Sequence, residues 1–274
     1  MSEITQKEKA ERFRKLHEGP RAFVIPNPWD GGSARVLAGL GFQALATSSG
    51  ASAGILGKRD GMVTRDEALA HARAIVAATD LPVSADLEKG FGDAPSAAAQ
   101  TILVAAETGL VGGSIEDATG NKDKPLYDIG QAIERVAAAV QAARSLSFPF
   151  TLTARSENQL HGDRDLDATI ARLQAFERAG ADVLYAPGLS SLDDIGAVVR
   201  AVAPKPVNVL VTSGFTSLAE LTELGVRRIS VGSALARSAL TGFLAAAREI
   251  AEHGTFTTLG SATPFAEVNR LFSV

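Results

Sequence analysis

The sequence predicts an α/β fold in which eight parallel strands close into a (β/α)8 barrel. Short apolar runs alternate eight times with longer helical stretches, and no linker or low-complexity segment interrupts the rhythm. Such alternation builds a parallel sheet, and eight units close it into a barrel. Several of the runs end in charged or small residues, among them Asp86, Glu116, Arg155 and Gly232. Barrel strands end in this way when they deliver functional groups to the C-terminal mouth. An open doubly wound sheet is the competing architecture, but no G-x-G-x-x-G follows the first run. One domain covers 1–274, with 1–19 as an N-terminal helix and 255–274 as a C-terminal helical extension.

The elements follow in order. Residues 3–18 are charged and amphipathic, and Gly19-Pro20 stops them as a helix. A strand over 22–26 leads into Asn27-Pro28-Trp29-Asp30, and Asp30 suits the cap of a helix over 32–40. A strand over 44–47 opens into Ser48-Ser49-Gly50-Ala51 and then a long polar, glycine-rich connection carrying Gly57-Lys58-Arg59-Asp60. Thr64 and Glu67 form a capping box for a helix over 64–79. The third strand ends at Asp86 and precedes a helix over 95–108; the fourth ends at Glu116. The stretch 117–127 is polar and aperiodic, then an alanine-rich helix covers 129–146. The fifth strand, over 150–153, ends in Ala154-Arg155, and a helix over 165–179 follows. Strands over 182–186, 207–211 and 228–231 complete the barrel, with helices over 191–202, 217–224 and 234–252. Gly254 breaks the chain before a last amphipathic helix over 264–272.

Composition excludes several functions. Acidic residues number 31 against 27 Lys and Arg, and no basic run offers a nucleic-acid surface. With no cysteine, thiolate metal sites, cysteine nucleophiles and disulfides are ruled out, which is compatible with the cytoplasm. The first 19 residues lack the apolar centre of a signal peptide, and no stretch approaches the roughly 20 apolar residues of a membrane span. The expectation is a cytoplasmic protein with neither nucleic-acid nor membrane partner.

The chemistry gathers at strand ends. Asp86 and Glu88 stand two apart after an apolar run, so on an extended chain they share one side. Two hard oxygen donors there suit Mg²⁺, and Gly90 and Gly92 let the backbone turn beside a ligand. Glu116 and Asp117 repeat the pattern one β/α unit later. Arg155 can hold a carboxylate or phosphonate through its planar fork, or pair with Glu116 or Glu157 as structure. The Ser49-Gly50-Ala51 turn can offer backbone N–H groups to a carboxylate, with Trp29 at the end of the first strand. Ser213-Gly214 and Gly232-Ser233 resemble phosphate-cradling turns. The histidines His17, His71 and His253 fall on helices and are expected at their surfaces; His161, just after the fifth strand, is a weak candidate.

Six motifs carry a resemblance. Asn27-Pro-Trp-Asp30, Ser48-Ser-Gly50, Gly57-Lys-Arg-Asp60, Ala85-Asp-Leu-Glu-Lys-Gly-Phe-Gly92, Ser114-Ile-Glu-Asp117 and Thr153-Ala-Arg155 stand in the order seen in the isocitrate lyase/phosphoenolpyruvate mutase superfamily. The resemblance spans nearly the whole chain. It implies a Mg²⁺ enzyme, with Mn²⁺ as a substitute, that breaks or rearranges a C–C or P–C bond beside a 2-oxo acid through an enolate-like intermediate. It implies Asp86, Glu88 and Glu116 around the metal, with Asp60 in the outer shell. It further implies Ser49, Gly50 and Ala51 on the substrate carboxylate and Arg155 on the reacting oxygen or leaving group. The lyases of the family carry a cysteine and a histidine in the loop after the fourth strand. Here that loop reads Ala118-Thr-Gly-Asn-Lys-Asp-Lys-Pro125 and has neither. Asn121, Lys122 and Lys124 partly match the asparagine and lysine that the mutases and hydrolases use there. The loop is expected to be a lid bringing Lys122 or Lys124 to a small 2-oxo or phosphono acid. The family also implies dimers or tetramers built by exchanging C-terminal helices; the alternative is that 264–272 packs on its own barrel. Competing readings are a metal-dependent aldolase of the same architecture and an anion-binding barrel without catalysis.

Overall fold

The computed structural model describes residues 4–272, so 1–3 of the expected N-terminal helix and 273–274 of the C-terminal extension lie outside the described residues. The chain runs α1 (Gln6–Glu18), β1 (Phe23–Ile25), α2 (Gly31–Gly39), β2 (Leu45–Ala46), α3 (Ser49–Ile55), α4 (Arg65–Ala77), β3 (Val83–Asp86), α5 (Pro95–Ala106) and β4 (Gly112–Glu116). It continues with α6 (Ile129–Arg144), β5 (Thr151–Arg155), α7 (Leu166–Arg178), β6 (Val183–Tyr185), α8 (Leu192–Ala201), β7 (Val207–Leu210), α9 (Leu218–Glu223), β8 (Arg228–Ser230), α10 (Ala234–His253) and α11 (Phe265–Leu271). All strand pairs are parallel, in the order β1-β8-β7-β6-β5-β4-β3-β2. The barrel is nearly closed; at the seam Ala46 N–H donates to the Pro26 carbonyl at 3.1 Å.

The apolar core lies between the strands and their helices. Leu45, Ile75, Ile102, Leu110 and Phe150 fill one half, and Leu173, Phe176, Ile195, Val198 and Val207 the other. The barrel interior is polar in part, where many barrels carry layers of branched apolar side chains. Ser84, Thr153, Asn208, Arg228 and Ser230 are buried there.

Helix α1 starts at a Thr5/Glu8 capping box and closes the N-terminal end of the barrel with Phe13. His17 is 6% exposed and meets Phe13 and Phe23 edge to face at 4.7 and 5.0 Å, which corrects the surface position expected for it. Its helix is mostly charged, so the narrow buried face of Ala10, Phe13 and His17 is hard to see in the sequence. His71 is half-buried and bonds the Trp29 carbonyl, while His253 is exposed. Asp30 caps α2 as expected.

The C-terminal helices stand apart from the core. No residue of α10 is buried, and Phe243 is 67% exposed. Helix α11 lies against α2 of its own chain, where Arg35 Nη1 donates to the Phe272 carbonyl at 3.2 Å. Among the described residues no helix is long and apolar enough to cross a membrane.

Candidate active site

Strand register builds the site. Glu116 of β4 stands beside Arg155 of β5, and Arg155 beside Tyr185 of β6. The guanidinium of Arg155 reaches Asp86 Oδ1 at 2.9 Å, Glu116 Oε2 at 3.2 Å and Glu157 Oε1 at 2.8 Å, and lies over the Tyr185 ring at 5.2 Å. Side chains here are 5–16% exposed, so these charges are largely stripped of water. Three carboxylates on one guanidinium leave the cluster short of positive charge.

Glu88 adds to that shortage. It follows β3 in a turn with φ +47°, and its N–H donates to Asp86 Oδ1. Burial pushes the Glu88 carboxyl up to about 7, helped by the Asp86 and Asp60 charges. Burial also raises Glu116 well above the ordinary carboxylate range, against the pull of Arg155 and with the push of Glu157 and Asp86. Asp86 is held low despite burial, because Arg155 and the amides of Ser49 and Glu88 favour its charged form. Such perturbed groups gather at functional sites, although structural ion pairs perturb groups too.

Gly90 explains how the turn after β3 fits. Its φ is +82°, and a Cβ there would lie 2.9 Å from the Ala98 backbone. Arg135 of α6 fixes the outer half of the turn by donating to the carbonyls of Lys89, Gly92, Asp93 and Ala94. It also lies over the Tyr127 ring at 4.3 Å.

The expected substrate-binding residues divide between two cavities. Ser49, Gly50 and Ala51 are not the open turn expected after the second strand; they begin α3. Ser49 N–H donates to Asp86 Oδ2 at 3.2 Å, and a Cβ on Gly50 would meet Asp60 Oδ2 at 3.2 Å. Ser49, Asp60, Asp86 and Arg155 line a cavity of about 200 Å³ that descends between the strand ends into the barrel. Trp29, Gly50 and Ala51 line an adjoining, mostly apolar cavity of about 410 Å³, bounded on the other side by α10.

Asn121, Lys122 and Lys124 do not line either cavity. They are exposed on a loop pinned at its base by the Ala118–Leu126 bridge and by the Arg172–Asp117 ion pair at 2.9 Å. Lys124 is 2.7 Å from Asp128. His161 is likewise exposed.

Among the described residues no three carboxylates are already gathered into a metal centre; Asp86 and Glu116 are ion-paired to Arg155. The donor set nevertheless fits a hard divalent cation. Asp86, Glu88, Glu116 and Asp60 supply only oxygens, and Mg²⁺ takes one or two carboxylates and completes its shell with waters. Arg228 and Asn208 at the cavity floor were missed at the sequence level; the one signal was the Arg227-Arg228 pair opening a strand.

Comparison with known proteins gives this geometry a context. The family model for phosphoenolpyruvate phosphomutase matches residues 13–251. The crystal structure of a lyase/mutase candidate from Burkholderia cenocepacia is 58% identical, with a TM-score of 0.95 over 98% of each chain. An uncharacterized protein of Mycobacterium tuberculosis is 33% identical over 93% of this chain and 94% of its own length. The 2-methylisocitrate lyase of Bacillus subtilis is 31% identical over 81% of this chain and 70% of its own. The chain belongs to the phosphoenolpyruvate mutase/isocitrate lyase superfamily.

Proposed function

We propose that this chain is a Mg²⁺-dependent enzyme that cleaves or rearranges a C–C or P–C bond beside a small 2-oxo acid, through an enolate-like intermediate. The observation that carries the reading is the Arg155 cluster, in which carboxylates outnumber the cation that holds them. Asp86, Glu88 and Glu116 would hold the metal, with Asp60 beside them. A bound divalent cation supplies Lewis-acid stabilisation for the charge that develops on the substrate oxygen. The chain's own part is placement. Arg155, steadied by Glu157, offers a rigid fork to the same oxygen or to the leaving group. Ser49, Gly50 and Ala51 at the start of α3 would receive the substrate carboxylate on their amides, the Ser49 N–H exchanging its bond to Asp86 Oδ2 as Asp86 turns to the metal.

The loop after β4 acts as a lid in this reading. Its base is anchored and its tip, which carries Asn121, Lys122 and Lys124, is exposed. Closure would bring a lysine over the cavity and exclude water. The exposed apolar face of α10 supports a subunit contact or exchange through that helix, in a dimer or tetramer, whereas α11 packs on α2 of its own chain.

One observation favours a second reading. With Lys124 paired to Asp128 and no cysteine or histidine in the loop, the barrel could bind an anion and lack a general acid. Turnover decides between the two. Oxaloacetate, phosphonopyruvate and 2-methylisocitrate are offered with Mg²⁺, and formation of pyruvate, oxalate or phosphoenolpyruvate is followed. Turnover of one acid that stops on adding a chelator is the expected result. Binding of several acids without turnover of any would leave the anion-binding reading in place.

A further inference from the structure

Among the described residues, the charge on the floor of the strand-end cavity has no carboxylate paired with it. Arg228, at the start of β8, is 6% exposed and lines the same cavity as Asp86 and Arg155. Its Nε donates to Asn208 Oδ1 at 2.8 Å and its Nη2 to Thr153 Oγ1 at 2.9 Å, while Nη1 has no partner. Asn208 is itself held by a bond from its amide to Ser230 Oγ at 3.0 Å. Among the described residues no carboxylate pairs with Arg228, and burial pushes it down to about 10.

A buried guanidinium with only neutral partners is costly. A barrel interior selected for stability alone would be filled with branched apolar side chains. Here the floor is instead lined by Ser84, Ser114 and Ser230 hydroxyls around an incompletely bonded cation. A concave site with a few convergent polar groups is a ligand pocket, and a planar fork with a free donor suits a carboxylate.

Position then fixes the reach. Thr153, which anchors Arg228, is two residues before Arg155 on β5. At the rise of a parallel strand, that sets the two anchoring points roughly 7 Å apart. A substrate held at the mouth by Arg155 could extend one short carbon chain down to Arg228.

We propose that Arg228 binds a second carboxylate of the substrate, making the substrate a short dicarboxylic 2-oxo acid whose tail points into the barrel. The proposal rests on the mouth binding the 2-oxo acid end, as set out under the proposed function.

Calorimetry in the presence of Mg²⁺ tests it with three probes. Oxalate reports on the mouth alone. 2-Oxoglutarate carries the distal carboxylate, and 2-oxopentanoate has a methyl group in its place. The wild-type protein should prefer 2-oxoglutarate by roughly 30-fold or more, as a desolvated charge pair would give. Arg228→Met should abolish that preference and leave oxalate binding unchanged. Equal affinity of the wild-type protein for the two 2-oxo acids would overturn the proposal and leave Arg228 to a free inorganic anion. A preference that survives in Arg228→Met would also overturn it. Should Arg228→Met lose oxalate as well, Arg228→Lys decides, because it keeps the charge and loses the fork. A preference cut to a few-fold with oxalate intact supports the subsite; an unchanged preference refutes it. Failure of the wild-type protein to bind oxalate would instead sink the reading of the mouth, and the floor subsite would fall with it.

Discussion

Replacing Arg155 by alanine should make the fold depend on divalent cations. The substitution removes the cation shared by Asp86, Glu116 and Glu157, and leaves three carboxylates with little water around them. Breaking one buried pair costs about 3–5 kcal/mol, because an uncompensated charge remains. The three pairs share one guanidinium and do not add, so about 3–5 kcal/mol is the expected loss near pH 8. For a chain of this size that corresponds to a fall in Tm of roughly 6–12 °C. The sign with pH follows from the carboxylates. Without Arg155 their folded-state pKa values rise above the unfolded ones, so the folded protein takes up protons and the deficit shrinks as pH falls toward 5. Millimolar Mg²⁺ should recover part of the loss in the variant. The surface pair Arg144–Asp182 is the control, since Arg144→Ala should cost no more than about 1 kcal/mol. Urea denaturation at pH 8 and pH 5.5, with and without Mg²⁺, measures all of this. A loss below about 1 kcal/mol at pH 8, or one that does not change with pH, would refute the charge argument.

Three further outcomes are expected. His17 is buried among aromatic rings, and burial holds it down at about 3, so below its ordinary range only the unfolded chain takes up a proton there. Stability should therefore fall by up to about 1.4 kcal/mol per pH unit from pH 6.5 downward, and urea curves of His17→Gln should lose that part of the slope. Gly90→Ala meets both a positive φ and the Ala98 backbone, so a loss of about 2 kcal/mol or more is expected, with weaker Mg²⁺ binding as Glu88 shifts. Once a substrate is known, the Lys122→Ala/Lys124→Ala double variant should lower kcat with Mg²⁺ affinity nearly intact, whereas Glu116→Ala should weaken both; full turnover by the double variant would end the lid role.

How far the sequence reached depended on whether a feature left a local pattern. The strand ends did, because an apolar run closing in Asp86, Glu116 or Arg155 is visible residue by residue. The Asp30 and Thr64 caps did too, through side chains that compete for backbone N–H groups. Helix α3 did not, because Ser-Gly-Ala-Ser-Ala-Gly has no apolar stripe and its helicity comes from the packed barrel end. Arg228 was hidden by strand alternation. Of the adjacent Arg227 and Arg228 only one can face inward, and the sequence does not say which. Arg135 was hidden in an alanine-rich helix, where a lone arginine looks like a solvated residue until its four carbonyl partners come together in three dimensions. The loop after β4 showed its polarity but not its pinning, since Arg172 approaches Asp117 from an element 55 residues away.

Binding of a divalent cation by Asp86, Glu88 and Glu116, as proposed, is the claim on which the rest stands. Paramagnetic resonance of Mn²⁺ titrated into the wild-type protein measures it without needing a substrate. One bound Mn²⁺ per chain is expected, displaced by Mg²⁺ and lost in Asp86→Asn. An Asp86→Asn protein that holds Mn²⁺ as tightly as the wild type, or a wild-type protein that holds none, would contradict it.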